Sequence, residues 1–85
     1  MALSSRDCSE IRQALKSKAT NYRYSDLGRW LEAADFREAG GKGDHVAWKH
    51  PSGRRVGLVR RSGHILPAYV KETARRILET GACPE

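Results

Sequence analysis

The chain of 85 residues has no apolar run longer than a few residues, so it offers no segment able to span a bilayer. Cysteine is scarce as well: Cys8 and Cys83 are the only two. They lie near opposite ends, with no CxxC spacing and no histidine cluster beside either, which argues against a zinc site or a redox motif. The opening stretch MALSSRDCSE lacks the basic n-region and apolar h-region of a signal peptide, so a cytoplasmic protein is expected. In that reducing setting Cys8 reads as a small apolar residue on a helix face and Cys83 as a residue of the tail; a disulfide is the lesser alternative. Aromatic residues are few, three Tyr, two Trp and one Phe. With the scattered Leu, Ile and Val they supply one modest core, and a second domain does not fit.

What is abundant is positive charge, and it is concentrated. The net charge is +6. Residues 1–40 hold seven Lys/Arg against six Asp/Glu, and residues 62–85 hold three of each. Residues 41–61 carry Lys42, Lys49, Arg54, Arg55, Arg60 and Arg61 against Asp44 alone. A patch of this kind raises the local concentration of polyanions and favours phosphate contacts, which makes nucleic acid the leading partner class.

Periodicity divides the chain into elements. Within SSRDCSEIRQALKSK, residues Cys8, Ile11, Ala14 and Leu15 recur at helical spacing, and Ser4 with Asp7 forms a weak capping box. ATNYRY reads as a connector, after which Ser25 offers an N-cap oxygen to a second helix with Leu27, Trp30, Leu31 and Ala34 on its apolar face. Gly28 weakens that helix by about 1 kcal/mol relative to Ala, so packing must support it. FREAGG is a short strand that breaks into a glycine turn. DHVAWKH alternates, with Val46 and Trp48 on one face and His45, Ala47 and Lys49 on the other. A Pro-Ser-Gly turn leads to RRVGLVRR, where Val56 and Leu58 oppose Arg55, Gly57 and Val59. From Pro67 to Thr80 a last helix carries Val70, Ala74, Ile77 and Leu78, and Gly81 ends it in a left-handed conformation.

The expected fold class is α+β: an extra N-terminal helix, then α-β-β-β-α, with three antiparallel strands and the helices on one face. The uncovered face then presents His45, Lys49, Arg55 and Arg37, with small Ala47 and Gly57 between them. Trp48 shares the parity of Val46 and belongs to the core, as does Trp30. Tyr69, off the main stripe of the last helix, reads as a half-buried boundary residue.

The same residues carry a family likeness. DLGRWLEAADF, then GKGDHVAWKHPSGRRVGLVRR, then LPAYVKETARRIL resemble, in order and spacing, the HicA toxins, small endoribonucleases of bacterial type II toxin-antitoxin pairs. The resemblance runs from Tyr24 to Ala82, with residues 23–82 as the HicA-like domain, 1–22 as a helical extension and connector, and 83–85 as a tail. It implies a double-stranded-RNA-binding-domain-like fold, an mRNA substrate, a HicB-like antitoxin as partner and inhibition of translation as outcome. In that family a glycine-Ser-His motif enters the second strand and its histidine is catalytic; carried over, that residue is His45. Lys42 and Gly43 match the family's Lys-Gly pair. Asp44 stands where the family has serine, placing an anion beside the site.

The chemistry is consistent with this pattern on its own terms. RNA carries its own nucleophile, the 2′-hydroxyl, so cleavage needs a base that titrates near neutrality and cations to stabilise charge on phosphorus, with no metal or cofactor. His45 is the candidate catalytic residue, with Lys42, Gly43, Lys49, Arg54, Arg55 and Arg60 as RNA-binding candidates. A 2′,3′-cyclic phosphate is the product this mechanism implies. His50, beside Pro51, is assigned to the hairpin, and His64 to a loop. A non-catalytic RNA-binding module, for which Asp44 argues, is the alternative function; a regulatory protein that meets only an acidic protein partner is a third. Against the functional readings stand a surface histidine without a role and arginines that merely guard a strand edge against aggregation.

Overall fold

The computed structural model describes residues 3–17, 21–60 and 63–83. Arg61, residues 18–20 of the connector and residues 84–85 of the tail lie outside the described residues. In chain order the elements are α1 (Ser5–Lys16), α2 (Tyr24–Ala33), β1 (Arg37–Glu38), β2 (His45–Lys49), β3 (Arg55–Val59) and α3 (Pro67–Glu79). The strands form one antiparallel sheet in the order β1-β2-β3. Among the described residues no helix is long and apolar enough to cross a membrane.

Helix α1 begins where its sequence provides a cap. The Ser4 hydroxyl accepts the Asp7 N–H at 3.0 Å and the Asp7 carboxylate accepts the Ser4 N–H. Burial works to raise the Asp7 carboxyl, but the Ser4 bonds and the Arg29 guanidinium, 3.2 Å away, outweigh it and hold the group below its usual value. That ion pair also ties α1 to α2. Helix α2 departs from expectation at its start. Ser25 is not the N-cap: the helix starts at Tyr24, and Asp26 reaches back to accept the Arg23 N–H at 2.9 Å. An acidic side chain at the third helical position satisfies the N–H of the residue that precedes the helix, one half of a capping box, and lies favourably at the positive end of the helix dipole.

The core lies between the helices and one face of the sheet. Leu27, Trp30, Leu31 and Ala34 of the α2 segment join Phe36 just before β1, Val46, Trp48, Val56 and Leu58 from β2 and β3, and Val70, Ala74 and Ile77 from α3. Gly28 is buried facing the Trp48 indole, and a Cβ there would sit 3.5 Å from its ring. Burial of this face supplies the support that the glycine-weakened helix requires. Thr73, unremarked in the sequence, is also buried, its hydroxyl donating to the Tyr69 carbonyl at 2.8 Å. Tyr69 itself is 41% exposed, more open than a boundary position, because it faces away from the Val70–Ala74–Ile77 stripe. Helix α3 ends as its sequence implies, with Gly81 at φ +80°.

The cysteine reading is corrected. Cys8 and Cys83 form a disulfide, with Cα atoms 5.6 Å apart, inside the range that such a bond spans. Helix α1 packs along α3, contributes Cys8, Ile11 and Ala14 to the core, and so brings its first turn beside the chain that follows α3. Arg12 adds a hydrogen bond to the Cys83 carbonyl at 3.1 Å. A sequence separation of 75 concealed this proximity. Reduction, or Cys8→Ser, is expected to lower the unfolding free energy by up to about 4.5 kcal/mol, the chain-entropy value for a loop of this size. Denaturant titration with and without a thiol reductant checks it; equal midpoints would show that the bond adds nothing.

Candidate nucleic-acid interface

Register decides which side chains share the uncovered face of the sheet. His45 pairs with Val59, Ala47 with Gly57 and Lys49 with Arg55; on the far side of β2, Lys49 also pairs with Arg37. The alternate residues Val46, Trp48, Val56 and Leu58 are buried, so His45, Lys49 and Arg55 project from the opposite side. All three are exposed. The hydrogen bonds from the His50 N–H to the Arg54 carbonyl and from the Arg60 N–H to the Asp44 carbonyl mark the bonded pairs of this ladder. Lys49 and Arg55 therefore form a non-bonded pair, in which side chains lie closest. Neither has a carboxylate partner among the described residues. His45 stands four residues along the same strand from Lys49, roughly 13 Å away.

The glycine loop is built against His45. Gly40 and Gly43 have φ of +93° and +59°, and the His45 N–H closes a turn onto the Lys42 carbonyl at 3.0 Å. Lys42 is thereby held one turn from the imidazole. Gly41 is needed for a different reason: a Cβ there would collide with the His45 carbonyl group, its carbon 2.8 Å away. The loop's close approach is to its own strand. Asp44 is exposed and has the parity of Val46, so it points away from the face that His45 occupies.

The other arginines are differently placed. Arg54 and Arg60 flank β3 on the parity of Val56 and Leu58, which faces the helices. Arg54 donates to Glu79 of α3 at 3.4 Å and to the Ser52 hydroxyl at 3.1 Å. Arg60 donates to Glu38 of β1 at 2.9 Å and lies 5.4 Å over the ring of Tyr24. The structure therefore places His45, Lys49 and Arg55 on one exposed face, with Lys42 and Gly43 in the loop that enters β2 at His45, and leaves Arg54 and Arg60 on the helical side with acidic partners. Arg37, on the outer parity, turns its guanidinium back to the Glu32 and Phe36 carbonyls at the end of α2. Glu38 and Tyr24 were not singled out from the sequence; the cue was Glu38 itself, an acidic residue on a short strand at the sheet's edge.

The remaining histidines take the places expected of them. His50 Nδ1 accepts the Ser52 N–H at 3.0 Å and the ring lies 5.0 Å from that of Phe36, so it shapes the hairpin. It also lines a depression of about 440 Å³ with Asp35 and Thr80, at the opposite end of β2 from His45. His64 forms an isolated bridge with Arg23. Among the described residues no group of three His, Cys, Asp or Glu is arranged to hold a metal ion.

The chain matches no protein-family model, no curated protein and no solved structure.

Gly41→Ala is expected to cost about 1–3 kcal/mol, the range for forcing extra atoms into filled space. Thermal unfolding gives the cost and the NMR shifts of His45 report its displacement; an unperturbed His45 in a fully stable variant would show that the loop does not fix the imidazole.

Proposed function

We propose that this chain is a HicA-type toxin, an endoribonuclease that cleaves mRNA without a metal and is held inactive by a HicB-like antitoxin. The observation that carries the proposal is the pair Lys49 and Arg55. Two like charges directly opposite on neighbouring strands repel, and neither has a carboxylate partner among the described residues. A polyanion laid over the open face removes that repulsion and gains two charge-assisted contacts. His45 on the same face then lies beside the phosphodiester backbone.

In the reaction, His45 takes the proton of a 2′-hydroxyl; the 2′-oxygen attacks phosphorus and the bond to the 5′-oxygen breaks, leaving a 2′,3′-cyclic phosphate and a 5′-hydroxyl. The proton held by the imidazole can return to the departing 5′-oxygen. Lys42 and the Gly43 amide, one turn from His45, suit the phosphate that gains charge, while Lys49 and Arg55 suit phosphates farther along the strand. The α-β-β-β-α order accords with the double-stranded-RNA-binding-domain-like fold implied by the resemblance. The antitoxin acts by covering the His45 face. A second reading, an RNA-binding module without catalysis, rests on Asp44 standing where the HicA toxins carry serine.

Cleavage of a long single-stranded RNA in the presence of EDTA separates the two. The parent is expected to cut, and His45→Ala to bind without cutting. Binding by both without cleavage by either would replace the toxin reading with the binding module. Affinity is also expected to fall with salt, and Lys49→Ala and Arg55→Ala each to reduce the slope of log K against log salt by about 0.7, the value for one phosphate on a single strand. Slopes left unchanged by both substitutions would place the RNA elsewhere.

A further inference from the structure

The last strand of the sheet has an open outer edge. Because Arg54 and Arg60 bond to β2 through the His50 and Asp44 backbone, and Val56 and Leu58 continue the same alternation, the residues between them turn outward. The N–H and C=O groups of Arg55, Gly57 and Val59 have no hydrogen-bond partner among the described residues. Gly57 is exposed and a Cβ built on it would meet nothing within 4 Å, so the open face is uncrowded by described residues at the middle of this strand. Neither its backbone angles nor its packing calls for glycine there, and a strand-interior glycine often marks the close approach of another backbone.

An edge of this kind is a template for one more strand. A second copy of the chain is a poor occupant. Antiparallel self-pairing centred on Gly57 sets Arg54 of one chain against Arg60 of the other, whose carboxylates are already engaged, and sets Arg55 against Val59, so a second copy brings no counter-charge to Arg55. A partner segment of opposite sign does, and Arg55 has no carboxylate partner among the described residues. We propose that the outer edge of β3 receives an extended acidic segment of a partner protein as a fourth strand. Alternating N–H and C=O groups would hold its backbone, and Glu or Asp beside Arg55 would set its register. A phosphodiester chain offers no alternating amide donors and acceptors to match. The inference concerns the edge of the sheet rather than its open face, and it does not require the ribonuclease reading.

Amide hydrogen exchange by NMR on the full chain tests it, with a short peptide of alternating Glu and Val as probe. In the free chain the amides of Arg55, Gly57 and Val59 should exchange faster than those of Val56 and Leu58, and the peptide should slow those three by about tenfold or more. Gly57→Pro removes an outward N–H and no ladder bond, so it should weaken binding by about tenfold, while Gly57→Ala binds as the parent does. The exchange measurement on the parent stands whether or not Gly57→Pro folds. Absence of binding, binding without protection of the three amides, or equal protection by a Lys-Val peptide would overturn the proposal. Protection of the same amides by a single-stranded RNA would overturn it too, by assigning the edge to nucleic acid.

Discussion

The pairing of Val46 with Leu58 and Trp48 with Val56 is the constraint on which the rest of the molecule depends. A slip of one residue by β2 would send Val46 and Trp48 into water and bury His45 and Lys49, and a slip by β3 would expose Val56 and Leu58 and bury Arg55. The cost of burying those charges keeps the register as firmly as the gain from burying Trp48. Both ends of β2 reinforce it. At one end Gly41 lies flat against the His45 carbonyl; at the other, His50 caps the Pro-Ser-Gly turn through Ser52 and rests against Phe36.

This register sorts the positive charge more finely than composition does. The stretch from Gly41 to Arg61 appears uniformly cationic, yet strand parity divides it in two. Arg54 and Arg60 fall on the helical side, where Glu79 and Glu38 reach them from other elements. Both pairs are partly exposed, so each contributes little to stability, but each places a carboxylate beside the cation. Lys49 and Arg55 fall on the outer side, where no such carboxylate lies among the described residues. Net charge identifies the cationic segment; parity identifies which cations within it lack a carboxylate partner among the described residues.

The legible parts of the fold were those set by local physics. Alternation in DHVAWKH and RRVGLVRR gave the strands and their inner faces, Ser4 and Asp7 gave the start of α1, and Gly81 gave the end of α3. The parts that were not legible depend on residues distant in sequence. Cys8 finds Cys83 only because α1 lies along α3, and the partners of Arg54 and Arg60 come from α3 and β1. Ser25 failed as a cap for a subtler reason. Asp26 can serve the helix start from inside the first turn, and a sequence containing both offers two solutions that differ by two residues, with Arg23 or Ser25 as the N-cap. For the site, the grouping of His45, Lys49 and Arg55 followed from period-two alternation alone, whereas the close fit of Gly41 against His45 required coordinates.

Leaving one face of a three-stranded sheet in water has a consequence for so short a chain. Half of the sheet's side chains contribute little burial, and the apolar atoms that remain must hold the domain together from one side. Two buried polar atoms, the Tyr24 hydroxyl and the Trp48 indole nitrogen, lack partners among the described residues and draw further on that reserve. Helix α1 and the Cys8–Cys83 bond act on the side away from the open face: the helix thickens the core through Ile11 and Ala14, and the crosslink restricts the unfolded chain. Stabilisation is thus placed where it cannot obstruct His45, Lys49 and Arg55. The helical layer carries the burden of folding, and the face of the sheet that bears His45, Lys49 and Arg55 stays exposed.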